Sequence, residues 1–277
     1  MKLALLLATL TAVSSGQSDE WVRALDQARQ LTKAGNYPAA QRQLTQLAKQ
    51  AEASGSPAAA IAWHDLGSVD FALGNLHSAE RAYRRCLELR RGFGDDLDDA
   101  RVRSSLGAVV ARLGKYADAE ALFESARVTF ESKLGPDHLD YGAVLNNQAF
   151  LRQLQGRYAD AAMLMRRAAA IFSGQVGPAH RSSVIALSNL ALVCAKLGQG
   201  SEAEELSNRA VTSIEKLVTP DHPLLADLLF LRADVLKLIG NKKGAANARA
   251  RAMEVRTAFL RDTGAGGVVP AEELRVR

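Results

Sequence analysis

Residues 139–161 read LDYGAVLNNQAFLRQLQGRYADA, and this stretch decides the fold. Gly156 stands between two runs rich in Ala, Leu, Arg and Gln, the residues of a helix. A glycine placed so ends one helix, because it takes the left-handed C-terminal conformation cheaply. Tyr158 lies just beyond it, where a ring packs into the first turn of the next helix. Ala149, seven residues before the glycine, is small, and small residues at facing positions let two antiparallel helices approach closely. The stretch reads as a helix–turn–helix hairpin.

The same text recurs along the chain. Gly35, Gly74, Gly114, Gly156, Gly198 and Gly240 are spaced by 39, 40, 42, 42 and 42 residues. An alanine falls five residues after each: Ala40, Ala79, Ala119, Ala161, Ala203 and Ala245. A small residue stands seven before each: Ala28, Gly67, Gly107, Ala149, Ala191 and Ala233. One hairpin cannot bury its apolar face alone, whereas a stack buries a continuous core. The period predicts six hairpins, with helices at roughly 19–34, 37–53, 57–73, 76–92, 97–113, 116–133, 138–155, 158–173, 180–197, 201–217, 222–239 and 242–262.

Composition agrees with an all-α chain. Of 277 residues, 48% are apolar but only 5% aromatic, so Ala and Leu must fill most of the core. No alternating Val/Ile/Thr pattern marks a sheet. Lys and Arg number 35 against 30 Asp and Glu, and the two signs are interspersed. No basic run suggests nucleic-acid binding, and the net charge of +5 gives at most a weak preference for acidic partners.

The N-terminus reads MKLALLLATLTAVSSG. Lys2, an apolar run from Leu3 to Val13 and the small residues Ser14, Ser15 and Gly16 have the three-part form of a secretory signal peptide, cut before Gln17 or before Ser15. The apolar run is too short to span a bilayer. The expected organisation is a signal peptide at 1–16, a repeat domain at 17–262 and a disordered tail at 263–277. The expected location is exported, periplasmic or extracellular, with no stable membrane insertion.

The hairpin pattern resembles the tetratricopeptide repeat. Trp63, Leu66, Gly67, Gly74, Ala79 and Tyr83 carry most of its signature in one unit. The longer period comes from linkers, LGPDH (134–138), VGPAH (176–180) and VTPDHP (218–223), and a 42-residue unit with such a linker resembles the kinesin light chain subfamily. The resemblance implies a right-handed α-solenoid of about six hairpins. Lys242 and Arg249 depart from the apolar pattern in the last unit, as suits a terminal cap.

His138, His180 and His222 recur at 42-residue intervals and invite a zinc reading. Equivalent places in separate repeats make a ladder and not a cluster, so Asp137 and Asp221 are expected to cap the helices while each histidine packs its linker. Cys86 and Cys194 lie three repeats apart and are expected as buried free thiols. Trp21 and Trp63 are expected in the core. No catalytic, cofactor or metal set is expected, and the chain is not read as an enzyme.

Helical residues advance about 100° each, which sorts every first helix into a core face and an opposite face. The opposite face holds His64, Asp65 and Ser68 in the second hairpin and Arg101, Ser104, Ser105 and Arg112 in the third. It holds Asn146, Asn147, Phe150 and Gln153 in the fourth, Ser188, Asn189 and Lys196 in the fifth, and Asp227, Asp234 and Lys237 in the sixth. The expected groove for a peptide or partner protein is Arg101, Ser105, Arg112, Asn146, Asn147, Phe150, Gln153, Ser188, Asn189 and Lys196. An amide both donates and accepts, so Asn147 and Asn189 suit the main chain of an extended peptide. The resemblance implies the same, since asparagines of the LNN text contact peptide backbone in kinesin light chain repeats. Arg101, Arg112 and Lys196 favour an acidic ligand at one end, and Asp227 and Asp234 oppose it at the other. The expected function is an exported, monomeric interaction scaffold; the alternatives are a self-associating rod or an enzyme with a cryptic His/Cys site.

Overall fold

The computed structural model describes residues 15–91 and 96–263. They form twelve α-helices and no strand. In chain order these are α1 (Ser15–Lys33), α2 (Tyr37–Ala53), α3 (Ala58–Ala72), α4 (Leu76–Leu89), α5 (Asp96–Arg112) and α6 (Tyr116–Leu134). There follow α7 (Leu139–Leu154), α8 (Tyr158–Val176), α9 (Arg181–Lys196), α10 (Gly200–Glu215), α11 (Pro223–Leu238) and α12 (Lys242–Thr263). The expected leader lies outside the described residues except for its last two, which open α1. The expected tail lies outside them except for Thr263. α8 runs three residues past the expected stop at 173: Gly174 does not break it, and it ends at Gly177, whose φ is +87°.

Every hairpin turns in the same way. At the second, Gly74 takes φ +78°, its N–H donates to the Phe71 carbonyl (3.1 Å), and the next N–H, of Asn75, reaches back to Asp70 (2.8 Å). That pair of bonds satisfies the carbonyls left open at a helix end. The other five turns repeat it, through Asn36 to Leu31, Lys115 to Val110, Arg157 to Arg152, Gln199 to Cys194 and Asn241 to Leu236.

The chain divides into two compact units, Met1–Ala126 and Arg127–Arg277. In the first, Leu25, Leu44, Leu47, Leu66 and Val69 form a core with Trp21 and Trp63 half-buried against it. Each such buried side chain contributes about 1.5–3 kcal/mol. The small residues before the turns are occupied by rings of the partner helix. A Cβ on Gly67 would lie 2.9 Å from the Tyr83 ring, and one on Gly107 2.6 Å from the Phe123 ring. The other hairpins have Ala28, Ala149, Ala191 and Ala233 there, and the residue sixteen further on is Leu44, Met165, Ser207 or Arg249 instead of an aromatic. Glycine therefore goes with a ring, and alanine with its absence.

Polar ties join neighbouring hairpins of this unit. Glu80 is buried on α4, where it accepts from Lys115 Nζ (2.7 Å) and from Arg84 (2.8 Å). Glu52 on α2 accepts from Trp63 Nε1 (2.7 Å) and from Arg85, and the Arg85 bond holds its carboxyl below the usual carboxylate range. A buried carboxylate is tolerable only when partnered in this way.

In the second unit, Met165, Leu190, Val193 and Cys194 centre one cluster, and Val211, Ile214, Leu225, Leu228 and Leu229 another. Arg166 on α8 bonds Glu202 on α10 (2.9 Å), and Asn241 reaches Glu204 (3.5 Å).

Candidate binding surface

In the first unit the expected groove residues are engaged within the scaffold. The guanidinium of Arg112 lies over the Phe71 ring, 4.8 Å from its centre. Arg101 pairs with Asp98 on its own helix (2.7 Å). Asp65 accepts from Arg29 (2.7 Å) and meets His64 Nδ1 (3.1 Å). The Tyr83 hydroxyl is bonded by Ser68 (3.0 Å) and Ser105, and burial pushes its pKa up. Ser104 is buried. Arg101 and Arg112 thus have partners inside the chain, an acid on the same helix and a ring on α3.

The second unit differs. Asn146, Asn147, Phe150 and Gln153 on α7 and Asn189 on α9 are half-buried, and Lys196 is exposed. Asn146 Oδ1 is buried and has no hydrogen-bond partner among the described residues. The Asn189 side chain makes no hydrogen bond among them either. Gln153 Nε2 has only the sulfur of Met165, at 3.9 Å. Ser188, expected in the groove, is buried at 3% exposure. What remains is a run of amides on α7 and α9, among which Asn146 and Asn189 have hydrogen-bonding capacity unspent within the described residues.

Asp227 on α11 is half-buried, and burial pushes its pKa up to about 6 against the attraction of Arg256 and Arg181. Its folded value thus lies above the unfolded one, near 3.9. The folded state takes up the proton first, so ionisation costs stability as pH rises through about 6. Asp227→Asn is expected to gain about 1 kcal/mol at pH 7.5, with the advantage vanishing as pH falls to about 4. Urea midpoints at the two pH values check this; a gain that persists in acid would contradict the assignment. His222 has the opposite sign: burial and Arg181 lower its pKa, so its contribution is full above about 6.5 and is lost as pH falls below that.

The three histidines correct another expectation. His138, His180 and His222 are themselves the N-caps of α7, α9 and α11, and Asp137 and Asp221 are not. Each Nδ1 accepts from the backbone N–H two residues on, at 3.1, 3.2 and 3.1 Å. This requires the neutral ring with its proton on Nε2. An imidazole reaches the same donors as an aspartate, which is why residue type alone misassigned the cap. Among the described residues no three of His, Cys, Asp and Glu form a group able to hold a metal, and no helix is long and apolar enough to cross a membrane.

Both thiols are buried; burial pushes Cys86 up to about 12 and raises Cys194. A thiol held protonated is a poor nucleophile.

One surface escaped the sequence reading. Leu154, Leu197 and Leu238, at the ends of α7, α9 and α11, are 39%, 38% and 43% exposed. An open depression beside Leu197 is lined by Gly156, Arg157, Tyr158, Ala159 and Asp160. A leucine within two residues of three successive turn glycines was the available signal.

Sequence models of the tetratricopeptide repeat match residues 98–173 and 182–258, and a second model of that repeat matches 25–90. No curated protein sequence matches the chain. Similar solved structures include BtubC (BKLC) from P. vanneervenii, 19% identical over 87% of this chain and 93% of that one, TM-score 0.59. The kinesin light chain TPR-like repeats of Podosopora anserina are 18% identical over 74% and 98%, TM-score 0.57. A Rap protein complexed with Competence and Sporulation Factor is 15% identical over 87% and 76%, TM-score 0.65. At these identities the likeness shows the fold alone: an all-α repeat solenoid class.

Proposed function

The chain belongs to the tetratricopeptide repeat family, whose fold is a protein–protein interaction scaffold, and on that premise we propose that it is exported and binds an extended segment of a partner protein. The proposed groove is the amide-bearing face of α7 and α9. The observation that carries it is the pair Asn146 and Asn189: amides of successive first helices whose hydrogen bonds the scaffold leaves unmade. A buried polar atom without a partner costs about 1–3 kcal/mol, so a native chain keeps one where something else supplies the bond. Extended backbone offers one N–H and one C=O per residue, the complement of an amide. Phe150 beside them gives an apolar contact for a ligand side chain. The similar Rap protein was solved complexed with Competence and Sporulation Factor, which for this chain is support by analogy. The roles assigned are non-enzymatic: the scaffold binds and positions, and no cofactor enters.

Export rests on the form of residues 1–16. Expressed in an exporting host, the protein should be recovered outside the cytoplasm with a mature N-terminus near Gln17, by Edman or mass-spectrometric sequencing. Intact Met1 on cytosolic protein would remove this part of the proposal.

A further inference from the structure

We propose that the hairpin-turn edge of the second unit is another docking surface, taking an acidic segment of a partner protein that presents leucine-like side chains. The leucines of this edge lie beyond the amides, and Lys196 of the expected groove borders them. Leu154 is seven residues beyond Asn147 on α7, about 10 Å along a helix that rises 1.5 Å per residue.

Two features mark the edge. The first is apolar. Leu154 and Leu238 stand at a place where the other hairpins carry Lys33, Ala72, Arg112 and Lys196. The turn itself therefore does not demand leucine. Leu197, which caps the C-terminus of α9, joins them, and an open depression lies between it and Tyr158. The second is charge. Arg152, Lys196 and Lys237 lie in the last turns of α7, α9 and α11, and Lys242 and Lys243 open α12. Of the acids near the starts of the second helices, Asp160 is paired with Arg157 (2.7 Å) and Glu202 with Arg166 (2.9 Å), while Glu204 meets the Asn241 amide (3.5 Å). Lys196 and Lys237 have no ion pair among the described residues. Cations at helix C-termini are favoured by the helix dipole, but that does not account for the leucines between them.

Lys196–Leu197 and Lys237–Leu238 set an unpaired lysine next to an exposed leucine at two successive turns, which complements a segment carrying both carboxylates and apolar side chains. A nucleic acid would meet the cations and leave the leucines exposed. A membrane surface would meet both but would not fill a recess.

The test titrates a fluorescein-labelled peptide of Glu-Glu-Leu triplets into the full chain, read by anisotropy. Saturable binding is expected, weakened about tenfold or more by Leu154→Ser with Leu238→Ser, and likewise by Lys196→Glu with Lys237→Glu. Unchanged helical circular dichroism and melting in the variants shows that folding is not the cause. Peptides with Lys for Glu, or Ser for Leu, should bind at least about tenfold more weakly. Asn147→Ala with Asn189→Ala should bind the peptide as the parent does, which separates this surface from the groove. Several outcomes would overturn the proposal: no saturable binding, equal binding by the leucine pair variant, loss of binding in the asparagine variant, or tighter leucine-dependent binding to phosphatidylserine vesicles or duplex DNA.

Discussion

Gly107→Ala is expected to lower the stability of the first unit by about 2 kcal/mol. The new Cβ would fall 2.6 Å from Phe123 Cε1 and 2.8 Å from Cδ1, distances that real side chains do not tolerate. Phe123 is 0% exposed, so its ring cannot swing out into solvent without opening the core. The strain, at the upper end of about 1–3 kcal/mol for overpacking, outweighs the roughly 1 kcal/mol that alanine gains over glycine within a helix. The first hairpin shows how to relieve it, since Leu44 stands there in the place of the ring and Ala28 in the place of the glycine. Gly107→Ala combined with Phe123→Leu should therefore recover most of the loss. Urea denaturation of both single variants and the double gives the coupling directly. A value of about 1 kcal/mol or more is expected between the two sites. Strictly additive effects would mean that the ring is not what keeps position 107 small.

The repeat was legible because its signals are local and repeated. Six turn glycines, each followed by an alanine five residues later, placed the hairpins, and the structure puts a left-handed glycine at every one of those turns. The core face of the first helices followed from angular spacing: Leu66, Leu106, Val110, Leu190 and Ala191 are all buried. What spacing could not give was which polar residues the scaffold uses for itself. Arg112 and Asn146 look alike as outward-facing polar residues, yet a ring on α3 engages one and nothing among the described residues meets the buried oxygen of the other. The histidine caps were hidden for a similar reason. A cap is defined by backbone geometry at a helix start, and imidazole is an uncommon choice for it. The pairing of glycine with aromatic sixteen residues later was present in the text at Gly67/Tyr83 and Gly107/Phe123, but only the packing shows why it exists.

The central claim is that the amides of α7 and α9 hold the backbone of a partner. Asn147 and Asn189 occupy the same register in successive hairpins, 42 residues apart, and both are half-buried on the face away from the core. Alanine at both sites removes four donor hydrogens and two carbonyl acceptors from a half-buried face. Hydrogen bonds of this kind contribute about 0.5–1.5 kcal/mol each in net terms, so losing three or more costs at least about 1.4 kcal/mol, a tenfold weakening. The loss should appear mainly as faster dissociation, because the charges that steer encounter are untouched. The most direct measurement takes the partner that the parent protein retains from the exported fraction. It compares the Kd of that partner for the parent and for Asn147→Ala with Asn189→Ala by calorimetry, alongside their melting curves. The groove predicts a melting temperature nearly unchanged and binding at least about tenfold weaker; normal binding by the double variant, or its unfolding, would contradict it.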